Sequence, residues 1–239
     1  MNNAISSPFY YNMQTVIISG ASGALGKRIV ERFLRGEWRV YALVRQTEAA
    51  KALTADFTPY SSQLNTVVCD LASMISTQHF MNASTIERCD AVIHCAGGIQ
   101  AGKSIEETSA EMVHAMLEIN YLTAFNLLRA TLPLLQARGG TVLTIGANAA
   151  LSPEQNKSAY ASSKAALIAL TQATAHEGKQ YGIRANCLVP GTIDTPANRE
   201  WGTPTDIAQW TTPKTIAEAA WMLCGEGGKA ISGAILPIR

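Results

Sequence analysis

The chain has 239 residues, 47% of them hydrophobic, and its 19 basic and 18 acidic side chains leave a formal net charge of +1. That balance, with no long run of one sign, excludes the electrostatic footprint of a nucleic-acid binder, and the apolar fraction suffices for a sizeable core. The five cysteines, Cys69, Cys89, Cys95, Cys187 and Cys224, are odd in number and widely spaced, unlike a disulfide framework or a C-x-x-C metal site, so a reducing compartment and no metal are expected.

Residues 1–14 are polar and lack a charged segment followed by an apolar run. No apolar run approaches the roughly 18 residues needed to cross a bilayer, so a cytoplasmic protein without membrane contact is expected. A first strand at 15–19 runs into the turn Ser19 to Gly26 and a helical stretch at 25–35. There Gly20, Ser22, Ala24, Leu25 and Gly26 let backbone approach a pyrophosphate, which the free N–H groups and dipole of the helix N-terminus stabilise; a purely structural tight turn is the alternative. The second strand, 39–44, ends in Val44-Arg45. An acidic side chain there would bind the ribose 2′-hydroxyl of NAD, whereas Arg45 suits a 2′-phosphate, which favours NADP over NAD unless Arg45 is merely a solvated charge.

Further apolar runs at 66–69, 91–95, 141–145, 184–189 and 234–236 alternate with helical stretches at 108–135, 159–181 and 214–224. Strands that are continuously apolar point to a parallel α/β sheet covered on both faces. No repeat or long linker interrupts this order, so one domain over 1–239 is expected, with the irregular segment 191–213 as a substrate loop beyond the carboxyl ends of the strands. Tyr160 and Lys164 stand four apart at the start of a helix, on one face. A nearby ammonium favours the phenolate, so Lys164 is expected to lower the Tyr160 pKa and ready it for proton exchange.

Taken together, Ser19 to Gly26, Cys95-Ala96-Gly97, Asn120, Tyr160-Ala161-Ser162-Ser163-Lys164 and Pro190-Gly191-Thr192 resemble the short-chain dehydrogenase/reductase family over nearly the whole chain. The resemblance implies a Rossmann doubly wound fold, with a seven-stranded mainly parallel sheet and helices on both faces. It implies Tyr160 as acid/base, Lys164 on the nicotinamide ribose, and Asn120 holding a water or backbone link in a proton relay. Asp70 and Leu71 would border the adenine, Ala96 and Gly97 would approach the ribose, and Pro190, Gly191, Ile193 and Thr195 would meet the nicotinamide. A homodimer or homotetramer through the helices carrying Asn120 and Tyr160 is implied as well.

The chain departs from the family pattern at Ala147, where most members carry a serine, at Ala24 in the phosphate turn, and at His94-Cys95, where two asparagines are usual. Thr144, Asn148 and Ser152 are the polar substitutes nearby. One reading is a dinucleotide-sensing protein that has lost catalysis; another is a substrate that is already electron-poor and needs no serine. Several departures resemble the quinonoid dihydropteridine reductases as a set, through Gly20 to Gly26, Ala96-Gly97-Gly98, Gly146 to Leu151 and Ile193 to Arg199. This implies a pterin-like substrate, with another carbonyl or alcohol as the alternative. Those enzymes keep an acidic residue after the second strand, which Val44 and Arg45 do not match.

Ala147, Asn148 and Trp201 are therefore the candidate substrate contacts. Trp201 and Trp210 either cover a flat heterocycle or pack the loop. Asp194 and Arg199 either hold a pterin edge or cap the loop as a salt bridge. His79, His94, His114 and His176 have no metal-ligand spacing, His94 reads as structural, and Cys95 reads as a packed hydrophobe.

Overall fold

A computed structural model describes residues 13–84 and 86–239. Most of the N-terminal stretch read above as free of a targeting signal, residues 1–12, lies outside the described residues. Seven strands, β1 (Thr15–Ser19), β2 (Arg39–Val44), β3 (Leu64–Val68), β4 (Ala91–His94), β5 (Gly140–Ile145), β6 (Ile183–Pro190) and β7 (Ile235–Ile238), form one sheet in the order β3-β2-β1-β4-β5-β6-β7. Every neighbouring pair is parallel, as strands buried on both faces require.

Successive side chains of a strand point to opposite faces, which splits the core into two layers. Val16 and Ile18 of β1 pack with Ile29 and Phe33 of α1 (Ala24–Arg35), whereas Ile17 between them joins Val92, Leu127 and Val142 on the other face. The order reverses between β1 and β4, the switch point at which open α/β sheets form a crevice beyond the strand ends.

Two helices absent from the sequence reading follow β2 and β3: α2 (Thr47–Asp56) and α3 (Met74–Ala83). The helical stretch at 108–135 is divided into α4 (Ala110–Leu117), one π-helical turn at Glu118–Leu122, and α5 (Thr123–Gln136). Next come α6 (Ser158–Gly178), the short α7 (Pro196–Arg199) and α8 (Pro204–Ile207), and α9 (Pro213–Cys224). Segment 191–213 is thus more ordered than expected, because Thr195 and Thr203 cap α7 and α8 and Ile193 bridges to Thr211. Among the described residues no helix is long and apolar enough to cross a membrane.

Candidate active site

The phosphate turn is shaped by contacts that only glycine tolerates. Gly20 has φ +63°, and a Cβ there would stand 2.7 Å from the Ala96 backbone nitrogen, while a Cβ on Gly26 would collide with the Gly20 carbonyl. The α1 N-cap is Gly23; no side chain caps it and no acid occupies the first turn, so the first N–H groups of the helix point outward beside Ser22, Ala24 and Leu25. The ends of β2 and β3 adjoin this turn: Ala21 N–H donates to the Leu43 carbonyl and Cys69 N–H to that of Val44. Arg45 and Asp70 are exposed there and Leu71 is buried, its carbonyl accepting from the Asn126 amide at 2.9 Å.

At the ends of β4 and β5 the structure gathers Gly97, Asn120 and Lys164. A Cβ on Gly97 would lie 2.8 Å from Asn120 Oδ1 and 3.1 Å from Lys164 Nζ. Lys164 is 5% exposed and donates to the Ile145 carbonyl at 2.8 Å. Asn120, fully buried in the π-helical turn, accepts from Gly98 N–H at 3.1 Å and donates to the Gly98 carbonyl at 2.9 Å and to Ser163 Oγ at 3.1 Å. Ser163 in turn donates to the Tyr160 carbonyl at 2.7 Å. The sequence reading passed over Ser163, although its place three residues beyond Tyr160 puts it on the same helical face.

The expected electrostatics of the pair are corrected by the structure. Burial pushes the Tyr160 phenol up to about 12, so Lys164 does not hold it down. Burial likewise lowers the Lys164 ammonium from 10.5 to about 8. Spacing places the two on one face, but the ammonium is turned to the Ile145 carbonyl and desolvation sets both shifts.

Ala147 is buried directly after β5. Of the three polar substitutes near it, Thr144 is fully buried and bonded to Thr171 Oγ1 at 2.7 Å. Thr171 spends its own proton on the Leu167 carbonyl, so Thr144 donates to it and has no proton for a ligand. Asn148 and Ser152 are exposed. Pro190, the last residue of β6, is buried; beyond it Gly191 is exposed and Ile193 and Thr195 are half-buried, and the Ile193 carbonyl accepts from the Asn198 amide.

Asp194 and Arg199 form a two-pronged ion pair, Nη2 to Oδ2 at 2.7 Å, which is the loop-capping alternative. Trp201, 65% exposed, touches Trp210 with ring centroids 4.9 Å apart, so the two tryptophans pack on each other. Burial pushes the Cys95 thiol up to about 12, in keeping with a packed hydrophobe. A groove of about 980 Å³ lies across α1, between α9 and segment 194–199, with Lys27, Arg32 and Arg199 in its wall. It does not reach Tyr160, and these three cations pair locally with Asp56, Glu218 and Asp194.

Comparison with known proteins adds four findings. A family model described as short chain dehydrogenase matches residues 14–206. The chain is 30% identical over 234 residues to the 7alpha-hydroxysteroid dehydrogenase of Escherichia coli K12, covering 93% of this chain and 91% of that protein. It is 29% identical over 192 residues to the L-fucose dehydrogenase of Rattus norvegicus, covering 80% of this chain and 70% of the relative. Among solved structures, ElxO with NADP bound superposes with a TM-score of 0.89 over 95% of this chain and 97% of that one. At 23% identity that likeness speaks for the fold alone.

Proposed function

Since the chain belongs to the short-chain dehydrogenase family, we propose that it is an NAD(P)-dependent oxidoreductase of a small organic substrate, with Tyr160 as acid/base. The observation that carries this reading is the convergence of Gly97, Asn120 and Lys164 beside the Tyr160 helix turn, next to a glycine turn closed on Ala96. The glycine cradle fits a dinucleotide, since any side chain at Gly20 or Gly26 would fill the space that backbone must share with a pyrophosphate. Ser22, Ala24 and Leu25 complete that cradle. Arg45 would meet a 2′-phosphate, Asp70 and Leu71 the adenine, Ala96 and Gly97 the ribose, and Pro190, Gly191, Ile193 and Thr195 the nicotinamide. NADP is the favoured cofactor and NAD the alternative.

When bound, the dinucleotide supplies or accepts the hydride. Tyr160 donates the matching proton from its phenol, and a pKa pushed up to about 12 keeps that proton in place at neutral pH, the form a reductase needs. Lys164, still charged below about 8, holds the ribose. Asn120 fixes the turn opposite them through both Gly98 bonds. One domain acts here, with segment 191–213 as the substrate loop and Trp201 at its exposed tip. Leu122 and Phe125, 42% and 38% exposed, support association through the α4–α5 side into a homodimer or homotetramer.

Ala147 points to the substrate class. With Thr144 committed to Thr171, the buried wall after β5 offers no side-chain hydroxyl to polarise a carbonyl, so a substrate that is already electron-poor, a quinonoid dihydropteridine, fits best. A second reading, oxidation or reduction of an alcohol or ketone with Asn148 as donor, is favoured by the names of the hydroxysteroid and fucose dehydrogenase relatives. The test is nicotinamide absorbance loss, with NADH and NADPH separately, on quinonoid dihydropterin generated in the cuvette. Rapid enzyme-dependent oxidation with a preference for NADPH is expected. Turnover of a hydroxysteroid or sugar alone would establish the second reading, and cofactor binding without turnover of any of these would leave a dinucleotide sensor.

A further inference from the structure

His94 occupies a place the mechanism above does not use. It is the last residue of β4, in register with Ser19 of β1, and its ring is completely buried. Nδ1 lies 2.9 Å from Ser19 Oγ and Nε2 3.4 Å from Thr123 Oγ1. The direction of these bonds follows from proton counting. Thr123 spends its single hydroxyl proton on the Ile119 carbonyl at 2.8 Å, so the Nε2–Thr123 contact calls for the tautomer in which Nε2 carries the proton and donates. A neutral ring then has a bare Nδ1, which accepts the Ser19 proton. Burial, reinforced by the Lys164 charge, pushes the imidazole pKa down to about 3, which keeps the ring neutral.

With its proton fixed on Nδ1, Ser19 Oγ is free to accept the backbone N–H groups of Cys95 and Ala96 at 3.3 and 3.4 Å. Those amides lie where β4 leaves the sheet, and Ala96 is the residue against which Gly20 closes. At the other end of the chain of bonds, Ile119 precedes Asn120 in the π-helical turn and Thr123 opens α5 directly after that turn. One side chain thus connects the phosphate turn to the turn that presents Asn120.

We infer that His94 is a positioning residue that holds the dinucleotide turn and the Asn120 turn in a fixed mutual register, through Ser19 on one side and Thr123 on the other. The inference rests on the reading of this site given above, and it is tested without turnover. His94→Asn retains a polar group near Nδ1 only, and His94→Gln retains one near Nε2 only, so each keeps one arm. Hydrogen exchange of the full chain is followed over residues 19–24 and 116–123, and NADPH affinity is read from nicotinamide fluorescence. For His94→Asn we expect exchange about fivefold faster over 116–123 with NADPH affinity unchanged. His94→Gln should show the mirror image, with faster exchange over 19–24 and about fivefold weaker NADPH binding.

Equal effects of the two substitutions on both segments, or a uniform rise in exchange with unchanged affinity, would overturn the inference. If the ring variants do not fold, Ser19→Ala and Thr123→Val remove the arms singly, and only the former should weaken NADPH binding. Equal losses from both would again overturn it. Should the wild-type chain bind no dinucleotide, the functional reading fails, while the exchange pattern still decides whether His94 couples the two turns.

Discussion

The turns that follow β1 and β5 sit near each other at the carboxyl edge of one sheet, yet they are built on different principles. After β1 the backbone leaves no room for side chains: Gly20 and Gly26 are pressed so close to Ala96 and to each other that no Cβ fits. After β5 the backbone is equally tight, with a Cβ on Gly146 falling 2.8 Å from Cys187 Sγ, but the next side chain, Ala147, is chemically bare. On the function proposed above, the pyrophosphate would be met by main-chain shape, which tolerates no Cβ at Gly20 or Gly26, and the substrate by side chains, which can change while the frame stays.

That contrast can be broken most forcefully at the proton donor. Tyr160→Phe should lower turnover by about two to four orders of magnitude while leaving NADPH affinity nearly intact, as seen by steady-state rates and fluorescence titration. Gly26→Ala comes next: its methyl meets the Gly20 carbonyl, so stability should fall by about 1–3 kcal/mol and dinucleotide binding should be lost, measured by thermal melts with and without NADPH.

Lys164→Met separates function from stability. Because burial lowers the Lys164 ammonium from 10.5 to about 8, the unfolded chain binds its proton more tightly. Wild-type stability should therefore rise between pH 8 and 10.5 relative to the variant. At pH 7 the substitution should stabilise the fold by about 1–3 kcal/mol and reduce both turnover and cofactor affinity. Urea melts at pH 7 and pH 10 would show this, and a flat difference between the two would refute the burial argument.

Two smaller effects sharpen the comparison. Arg45→Glu should move preference from NADPH toward NADH by about tenfold, the scale of one charge-assisted pair, read from the ratio of KM values. Ala147→Ser should change pterin turnover by less than about twofold but raise activity on ketones or alcohols if the second reading of the substrate holds.

The sheet was legible because its strands are unbroken apolar runs flanked by polar helices. The helices α2 and α3 were not, because each buries only two residues, Ala50 and Leu53 in one and Thr77 and Phe80 in the other, too few to print a helical period. The π-helical turn at Asn120 left no trace either, since it alters the phase of a helix and not its composition. In segment 191–213 the signal was present but unread: Thr195-Pro196 and Thr203-Pro204 place a capping hydroxyl before a proline, the signature of a helix start. At the site, spacing singled out Tyr160 and Lys164 and the family resemblance singled out Asn120, and the structure brings Asn120 and Lys164 together at Gly97. Sequence distance carries no information on desolvation, and this is why the sign of the Tyr160 shift was misjudged. Ser19 and Thr123 escaped because their common partner is joined to them across the sheet and not along the chain.

The open start of α1 has a consequence for the life of the protein in a cell. A helix whose first turn lacks a side-chain cap gains its missing acceptors from whatever anion settles there, so a dinucleotide bound as proposed would stabilise the folded chain by about 3 kcal/mol at a hundredfold excess over Kd. If the dinucleotide binds there, chains made when it is scarce would spend more time unfolded and within reach of proteases. Their abundance would then follow the supply of the molecule on which they depend, with no dedicated regulator.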